Sequence, residues 1–312
     1  MESNPTQITH DFPPFFRVHN TGHIERYLEH DFVPPSHDHQ TGVVSRDVVI
    51  SPENNVSARI FLPTTTTTAQ GDPKLPLIIY IHGGAFSLQS AFSSLYHNYA
   101  NSLASQSRSV VVSIEYRLAP EHPIPACYDD CYAAVKWIGS HTRVEGGPDP
   151  WLNEHADFNR VYAAGDSAGA NLAHNIVTRA DVGLGFKFAG LILVHPFFGI
   201  GKPDKLWNFI CPDTTGCDDL RLNPTADLDL LSKLGCDRVL VCVAEKDQLR
   251  NRGWNYYEKL KKCDWKGVVE FYESPGEDHV FHLFKPVSDE AVSLLKLIVR
   301  FINCGAHVIS HF

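Results

Sequence analysis

The chain lacks three features that would each define a class of protein: a long apolar run, a long basic run and a Cys-x-x-Cys pair. Without about 20 consecutive apolar residues, no segment is expected to span a bilayer as a helix. Lysine and arginine are scattered and the net charge is -9, so nucleic acid is not an expected partner. The eight cysteines predict buried free thiols rather than disulfides or a structural zinc site.

The first residues, MESNPTQITHDFPPFF, also lack the basic start and apolar stretch of a secretory signal. The sequence therefore predicts a cytoplasmic protein. His37 and His39 flank Asp38, but alternate-residue histidines have neither helical nor finger spacing, and two further ligands are missing. We expect an exposed polar loop there and assign no metal.

The hydrophobic pattern predicts eight strands, of which the first two form a hairpin and the others alternate with helices. The strands are expected at 43–50, 56–63, 75–84, 109–116, 160–165, 188–196, 238–245 and 267–274. Helices are expected at about 126–141, 168–179, 254–263 and 287–302. This order is typical of an α/β fold with a mostly parallel sheet, helices on both faces, and functional groups at the carboxyl ends of the strands.

Two segments fall outside this pattern. Residues 1–40 combine paired prolines with several aromatics, and we expect an irregular or short-helical segment that packs on the main body. Residues from about 198 to 225 are rich in Cys, Asp and Pro and predict a lid or cap excursion. The remainder, 41–312, is expected to form one domain, because its length is near the limit of a single core.

A turn between a strand and a helix carries the first chemical signal. The strand RVYAAG ends in Gly165-Asp166-Ser167-Ala168-Gly169 and runs directly into an alanine-rich helix. In that context, Gly-x-Ser-x-Gly is typical of a sharp turn that exposes a nucleophilic serine. The alternative is a glycine-bounded turn with a solvated serine. We favour the nucleophile because further elements appear where the mechanism requires them.

The loop His82-Gly83-Gly84-Ala85 stands at the end of the buried third strand. Small residues there let backbone N–H groups approach a reacting carbonyl oxygen. We expect Gly83, Gly84 and the amide of Ala168 to form an oxyanion hole. His82 is expected to fix the loop by hydrogen bonding rather than to act as a base.

A serine hydroxyl needs a histidine base, and that base needs an acid to hold its tautomer. Asp247 lies two residues beyond the strand RVLVCVAE, at its carboxyl end. Asp237 lies at the opposite end of this strand, and Glu245 belongs to the strand itself. We therefore predict that Asp247 is the acid.

The expected base is His279, which follows a glycine-containing loop after the last strand and precedes the last helix. A loop in this position can bring an imidazole over Ser167. His282, three residues later, is the alternative base. It lies among apolar residues, which is more typical of a core histidine.

Several segments resemble the plant carboxylesterase family, on the hormone-sensitive-lipase side of the α/β hydrolases, and the resemblance covers nearly the whole chain. They are DFPPFFRVHNTGHIERY, HGGAF, EYRLAPEHPIPACYDD, GDSAGANLAHN, VHPFF, GCDRVLVCVAEKDQLRNRG and GEDHVFHLF. The resemblance implies an α/β-hydrolase fold with a catalytic triad of Ser167, Asp247 and His279. It also implies that the N-terminal segment 1–40 forms a small cap over the site, and it implies a serine carboxylesterase that acts on small-molecule esters, with short acyl chains as the expectation. The proposed reaction needs no cofactor, and we expect a monomer or dimer.

Three groups within this family define the alternatives. The gibberellin receptor lacks the triad histidine, so His279 argues against a non-catalytic ligand receptor. The 2-hydroxyisoflavanone dehydratases commonly have threonine at the nucleophile position, so Ser167 favours hydrolysis over elimination. Cyclases and deacetylating enzymes of alkaloid pathways share nearly all the motifs, and the motifs leave this alternative open.

The sequence departs from the family pattern at two places. Ala85 replaces a glycine that is often third in the loop, which is expected to narrow the site slightly. The connection from 198 to 207 is shorter than usual in the family, which predicts a more open pocket.

Overall fold

The computed structural model describes residues 7–64, 73–180 and 182–304. Its strands are β1 (Ile8–Phe12), β2 (Phe16–His19), β3 (Ile24–Arg26), β4 (His37–Asp38), β5 (Val43–Ser51), β6 (Val56–Pro63), β7 (Leu75–Ile81), β8 (Val110–Glu115), β9 (Ala156–Asp166), β10 (Phe188–Val194), β11 (Arg238–Ala244) and β12 (Val268–Ser274). Its helices are α1 (Ser94–Ser107), α2 (Ala126–Gly139), α3 (Pro150–His155), α4 (Ala168–Thr178), α5 (Lys205–Ile210), α6 (Leu228–Leu231), α7 (Arg250–Lys262), α8 (Phe281–Phe284) and α9 (Asp289–Asn303).

The main sheet has the strand order β12-β11-β10-β9-β7-β8-β6-β5-β4. Strands β7 to β12 pair in parallel, whereas β6, β5 and β4 pair antiparallel at one side. The predicted α/β fold with a mostly parallel sheet is confirmed, and all eight predicted strands are present. The two-residue strand β4 extends the sheet at its edge and is too short to leave a periodic pattern in the sequence.

Strand β7 shows why the sheet carries helices on both faces. All its residues are buried, and successive side chains point to opposite faces. Leu77 and Ile79 pack in one core cluster with residues of α2 and α4. Ile78 and Tyr80 pack in a second cluster with residues of α1 and α9. A strand that is buried on both faces reads as a continuous apolar run, which is how the sequence presents it.

Helix α1 is absent from the sequence prediction. Its buried face includes His97, Asn101 and Ser107 beside the apolar residues, so the apolar positions do not form a clear helical stripe. The side chain of Ser93 accepts a hydrogen bond from the amide of Tyr96 and caps the start of the helix. Tertiary packing, more than pattern, therefore establishes this helix.

The N-terminal segment differs from its prediction. It is not irregular or short-helical, because β1, β2 and β3 form a separate antiparallel sheet. Phe12 pairs with Phe16 across the first turn, which contains the paired prolines. Phe16 is fully buried, and the ring of Phe12 lies 4.7 Å from that of Phe209 in α5. Strand pairing provides hydrogen-bond partners for the backbone N–H and C=O groups, and it also directs the aromatic side chains into the body of the protein.

The excursion at 198–225 is fastened to the elements that carry the serine turn. The side chain of Asn171 in α4 donates hydrogen bonds to the carbonyl oxygens of Phe197 and Arg221. The hydroxyl of Tyr128 donates to Asn171, and Trp207 is fully buried. The excursion is thus packed on α4. The effect of its short beginning on the pocket stays a prediction.

In the described part of the chain, no helix is both long enough and apolar enough to cross a membrane.

Candidate active site

Ser167 lies at the tip of the turn between β9 and α4, with φ of 53° and ψ of -119°. A non-glycine residue with positive φ is strained, and such strain is concentrated at functional turns. A Cβ atom on Gly165 would overlap the carbonyl oxygen of Gly169, and one on Gly169 would overlap that of Ile81. Both glycines are therefore required by close backbone packing, which holds the serine in its strained conformation.

His279 lies within hydrogen-bond distance of both Ser167 and Asp247. Its Nε2 is 3.0 Å from Ser167 Oγ, and its Nδ1 is 2.8 Å from Asp247 Oδ2. The other carboxylate oxygen of Asp247 accepts a hydrogen bond of 2.7 Å from the amide of Leu249. The structure thus brings together all three predicted residues from the ends of three different strands. In this arrangement Nδ1 donates to the carboxylate, and Nε2 is free to accept the hydroxyl proton.

The alternative acid and base candidates have other positions. His282 is 3% exposed, and burial lowers its pKa to about 3. Neither of its ring nitrogens has a hydrogen-bond partner among the described residues. Glu245 accepts a hydrogen bond from the amide of Gly276, and so fastens the loop that carries His279. Asp237 precedes β11, at the opposite end of the sheet.

The structure adds His195, which the sequence reasoning did not single out. Its Nδ1 accepts a hydrogen bond of 2.9 Å from the amide of Val280, the residue after His279. His195 belongs to the segment VHPFF and follows β10 directly. The signal available in the sequence was its place at the carboxyl end of a strand next to the one that ends in Ser167.

His195, Asp247 and His279 also form a group whose possible metal-ligand atoms lie within 4.8 Å of one another. The facing atoms of Asp247 and His279 are hydrogen-bonded to each other. This bond accounts for the cluster without an ion.

The glycine loop after β7 departs from its prediction at Gly83. The amide of Gly83 donates a hydrogen bond of 2.9 Å to the hydroxyl oxygen of Tyr96. An N–H group has one proton, so this amide is engaged in the core and does not face an open site. Its predicted part in the oxyanion hole does not fit this geometry.

The next residues of the loop have a different arrangement. Gly84 and Ala85 have φ values of 105° and 53°, a left-handed conformation that turns successive N–H groups toward one side. Within the described chain, the amides of Gly84, Ala85 and Ala168 have no acceptor. These three amides are therefore available donors at the loop and at the first residue of α4.

Tyr96 links the glycine loop to the serine turn. Its hydroxyl donates to Asp166 Oδ2 at 2.8 Å while it accepts from Gly83. The hydroxyl of Tyr80 donates to the other oxygen of Asp166 at 2.7 Å. Burial raises the pKa of Asp166, and the two tyrosine hydroxyls compensate for its lost hydration. Asp166, the residue before Ser167, thus anchors the glycine loop through Tyr96.

Replacing Tyr96 with phenylalanine should lower the free energy of unfolding by about 1–3 kcal/mol, because a buried amide and a buried carboxylate oxygen both lose their partner. Urea unfolding measures this difference. Tyr99→Phe is the matched control, since Tyr99 is a buried tyrosine of the same helix. An equal loss in both variants would contradict the proposed role of the Tyr96 hydroxyl.

His82 holds the loop from its other side. Its Nδ1 donates to the carbonyl oxygen of Gly83 at 2.8 Å, and its ring stacks on Tyr116 with 4.3 Å between ring centroids. Burial lowers the pKa of His82 to about 3. His82 Nε2 lies 3.8 Å from Glu115 Oε2. The contact with Gly83 is of the loop-fixing kind that the sequence suggested.

The carboxyl group of Glu115 accepts hydrogen bonds from Ser90 Oγ and the amide of Ala91, and burial raises its pKa from 4.5 to about 7. The unfolded chain releases this proton at lower pH than the folded chain. The protonated carboxyl group of Glu115 therefore contributes to stability below about pH 4.5, and this contribution is lost as pH rises to about 7.

Glu115→Gln should be about as stable as the wild type at pH 4.5 and more stable by about 2–3 kcal/mol at pH 8, because glutamine stays neutral. Urea unfolding at the two pH values gives the comparison. The control is Glu121→Gln, whose carboxylate pairs with Arg26 and should show no such gain. A stability difference independent of pH would refute the raised pKa.

Comparison with known proteins gives a consistent result. Residues 78–283 match a family model described as alpha/beta hydrolase fold. The chain is 43% identical to "Probable carboxylesterase 5" of Arabidopsis thaliana, over 95% of this chain and 99% of the relative. It is also 43% identical to the "2-hydroxyisoflavanone dehydratase" of Glycyrrhiza echinata, over 95% of this chain and 96% of the relative.

A solved structure agrees with these relatives. The hyperthermophilic esterase of the archaeon Pyrobaculum calidifontis superposes with a TM-score of 0.64 at 29% identity, and the match covers 83% of this chain and 84% of that chain.

Proposed function

The chain belongs to the alpha/beta hydrolase family and is a serine carboxylesterase, and from this we propose that Ser167, His279 and Asp247 form its catalytic triad. One observation carries the proposal. The two nitrogens of His279 lie 2.8 Å from the carboxylate of Asp247 and 3.0 Å from the hydroxyl of Ser167. This is the order of acid, base and nucleophile that ester hydrolysis requires.

The reaction proceeds in two halves through an acyl-enzyme. His279 Nε2 takes the proton of Ser167 Oγ as the oxygen attacks the ester carbonyl carbon, and Asp247 stabilises the imidazolium. The imidazolium gives this proton to the leaving alkoxide oxygen, the C–O bond breaks and the alcohol departs. A water molecule then attacks the acyl carbon while His279 Nε2 takes one of its protons. The bond between the acyl carbon and Ser167 Oγ breaks, the imidazolium returns the proton to Ser167 Oγ, and the carboxylic acid departs. No cofactor enters either half.

We place the oxyanion at the amides of Gly84, Ala85 and Ala168. This differs from the sequence prediction, because the amide of Gly83 already donates to Tyr96. The left-handed φ values of Gly84 and Ala85 and the position of Ala168 at the start of α4 support the choice. Each preorganised donor of this kind contributes about 10²–10³ in rate.

We propose short acyl chains for the substrate, because a cluster of buried aromatic rings begins at Phe197, whose backbone contacts the serine turn. The amide of Phe197 donates to the carbonyl oxygen of Ser167 at 3.0 Å. The ring of Phe86 lies 5.8 Å from that of Phe197 and 5.7 Å from that of Trp207. All three rings are buried. We further propose that the N-terminal segment 1–40, of which the structure describes residues 7–40, and the 198–225 excursion form the cap that completes the pocket.

The test is hydrolysis of 4-nitrophenyl acetate, butyrate and decanoate, together with labelling by an organophosphate and peptide mapping. We expect turnover that falls with acyl length and one label per chain, on Ser167. A label on another residue would refute the triad. Absence of both label and turnover would favour a non-catalytic small-ligand receptor.

A second reaction class deserves a direct comparison, because the Glycyrrhiza relative named as a dehydratase is as similar as the carboxylesterases. Elimination would use the same base and oxyanion donors but would incorporate no water oxygen. Hydrolysis in ¹⁸O-water should place the isotope in the released acid. A labelled Ser167 without ester turnover would instead favour elimination or cyclisation.

The cellular setting is proposed separately. We propose a cytoplasmic location and a monomer or dimer that binds small-molecule esters. Imaging of a fluorescent fusion and light scattering on the purified chain test the two statements.

A further inference from the structure

His195 lies immediately behind the catalytic loop and takes no part in the reaction described above. Its ring follows β10 and is 1% exposed. The ring centroid lies 5.8 Å from that of His279 and 5.7 Å from that of His282. Burial of a polar ring costs free energy unless its polar atoms are hydrogen-bonded.

The hydrogen bond of His195 fixes its tautomer. Nδ1 accepts from the amide of Val280 at 2.9 Å, so Nδ1 carries no proton and the proton of the neutral ring is on Nε2. Burial lowers the pKa of His195 well below its ordinary value. The ring therefore stays neutral, and Nδ1 stays an acceptor, throughout the pH range in which a histidine base operates.

The donor of this bond is in an unusual conformation. Val280 has φ of 45° and ψ of 31°, the left-handed region. A β-branched side chain is strongly disfavoured there. Some surrounding interaction must compensate for the strain of Val280. The hydrogen bond to His195 is suited to this, because its donor is the amide of Val280 itself.

The bond completes the support of the loop around His279. On the N-terminal side, Glu245 accepts from the amide of Gly276 at 2.6 Å. The amide of Lys246 donates to the carbonyl oxygen of Glu277 at 2.9 Å. On the C-terminal side, the bond from Val280 to His195 is adjacent to the catalytic residue. His279 is thus held between two fixed points.

We propose that His195 is a positioning residue, which keeps Val280 in the left-handed conformation and thereby aligns the imidazole of His279 with Ser167 and Asp247. This inference rests on the proposed function of His279. It assigns His195 a role in the rate of the chemical step and none in substrate binding.

Three substitutions of His195 distinguish the effect of losing the hydrogen-bond acceptor from the effect of losing the volume of the ring. Asparagine places an oxygen at the position of Nδ1, whereas glutamine places it near Nε2 and leucine places none. We expect His195→Asn to retain kcat within about threefold. His195→Gln and His195→Leu should each lose about 10–100-fold in kcat with little change in KM, because a small misplacement of a catalytic group has effects of this size. Urea unfolding checks that all three variants are folded.

A double-mutant comparison shows whether His195 acts through His279. In a His279→Ala background, His195→Leu should change the residual rate by less than about threefold, because there is no imidazole left to align. A full 10–100-fold loss in that background, or equal activity of the Asn and Gln variants, would overturn the inference while leaving the triad intact. Full activity of His279→Ala alone would instead overturn the proposed function and the role of His195 with it.

Discussion

Ser167→Ala should lose at least about 10⁴-fold in the turnover of 4-nitrophenyl butyrate, with the fold unchanged. The substitution removes the oxygen that attacks the ester and leaves the backbone turn in place. Its hydroxyl contacts His279 Nε2 at 3.0 Å, and the adjacent packing is made by Gly165 and Gly169. The loss should therefore be one of chemistry and not of stability.

Steady-state kinetics and urea unfolding are the two measurements. His279→Ala should show a similar loss, and the double variant should lose little more, because nucleophile and base act as one unit. His282→Asn is the matched control, since His282 was the alternative base. Turnover by Ser167→Ala within tenfold of the wild type would refute Ser167 as the nucleophile.

Asp247→Asn should lower kcat by about 10³–10⁴-fold, through the tautomer of His279. One carboxylate oxygen of Asp247 accepts from the amide of Leu249 at 2.7 Å, which fixes the orientation of the replacement amide. Its carbonyl oxygen would keep this bond, and its NH₂ group would face His279 Nδ1. The imidazole would then carry its proton on Nε2 and could not accept the proton of Ser167.

The matched control is Asp237→Asn, at the opposite end of the same strand, where the substitution should leave kcat unchanged. Kinetics at pH 7 and 9 and the unfolding free energy complete the comparison. If Asp247→Asn kept wild-type kcat, or if Asp237→Asn lost as much, Asp247 would not be the acid of this triad.

Local sequence signals were sufficient for most of the sheet and for the serine turn. β7 is a continuous apolar run because it is buried on both faces, and the two stretches β5 and β6, joined by a short polar connection, form an antiparallel hairpin. The order of these elements along the chain predicts the α/β fold. The position of Ser167 at the tip of a turn could be predicted in the same way, because Gly165 and Gly169 are close to it in the sequence and are required by the turn.

The predictions that differ from the structure concern residues whose positions depend on contacts with residues distant in the sequence. The part of Gly83 in the oxyanion hole depends on Tyr96, which belongs to a helix without a clear apolar stripe. The N-terminal strands place Phe12 and Phe16 against Phe209, which lies about 200 residues further along the chain. Neither partner can be identified from local periodicity.

The sequence by itself determined the succession of strands and helices along the chain, the serine turn and the identities of its expected base and acid, because periodicity and glycine placement act over a few neighbouring residues. The tertiary structure alone decided that the amide of Gly83 is engaged by Tyr96 and that the amide of Val280 donates to His195. His195 and Val280 are 85 residues apart, and Gly83 and Tyr96 lie on different elements. Which buried donor meets which acceptor depends on the packing distance between such elements, and no short stretch of sequence contains that distance.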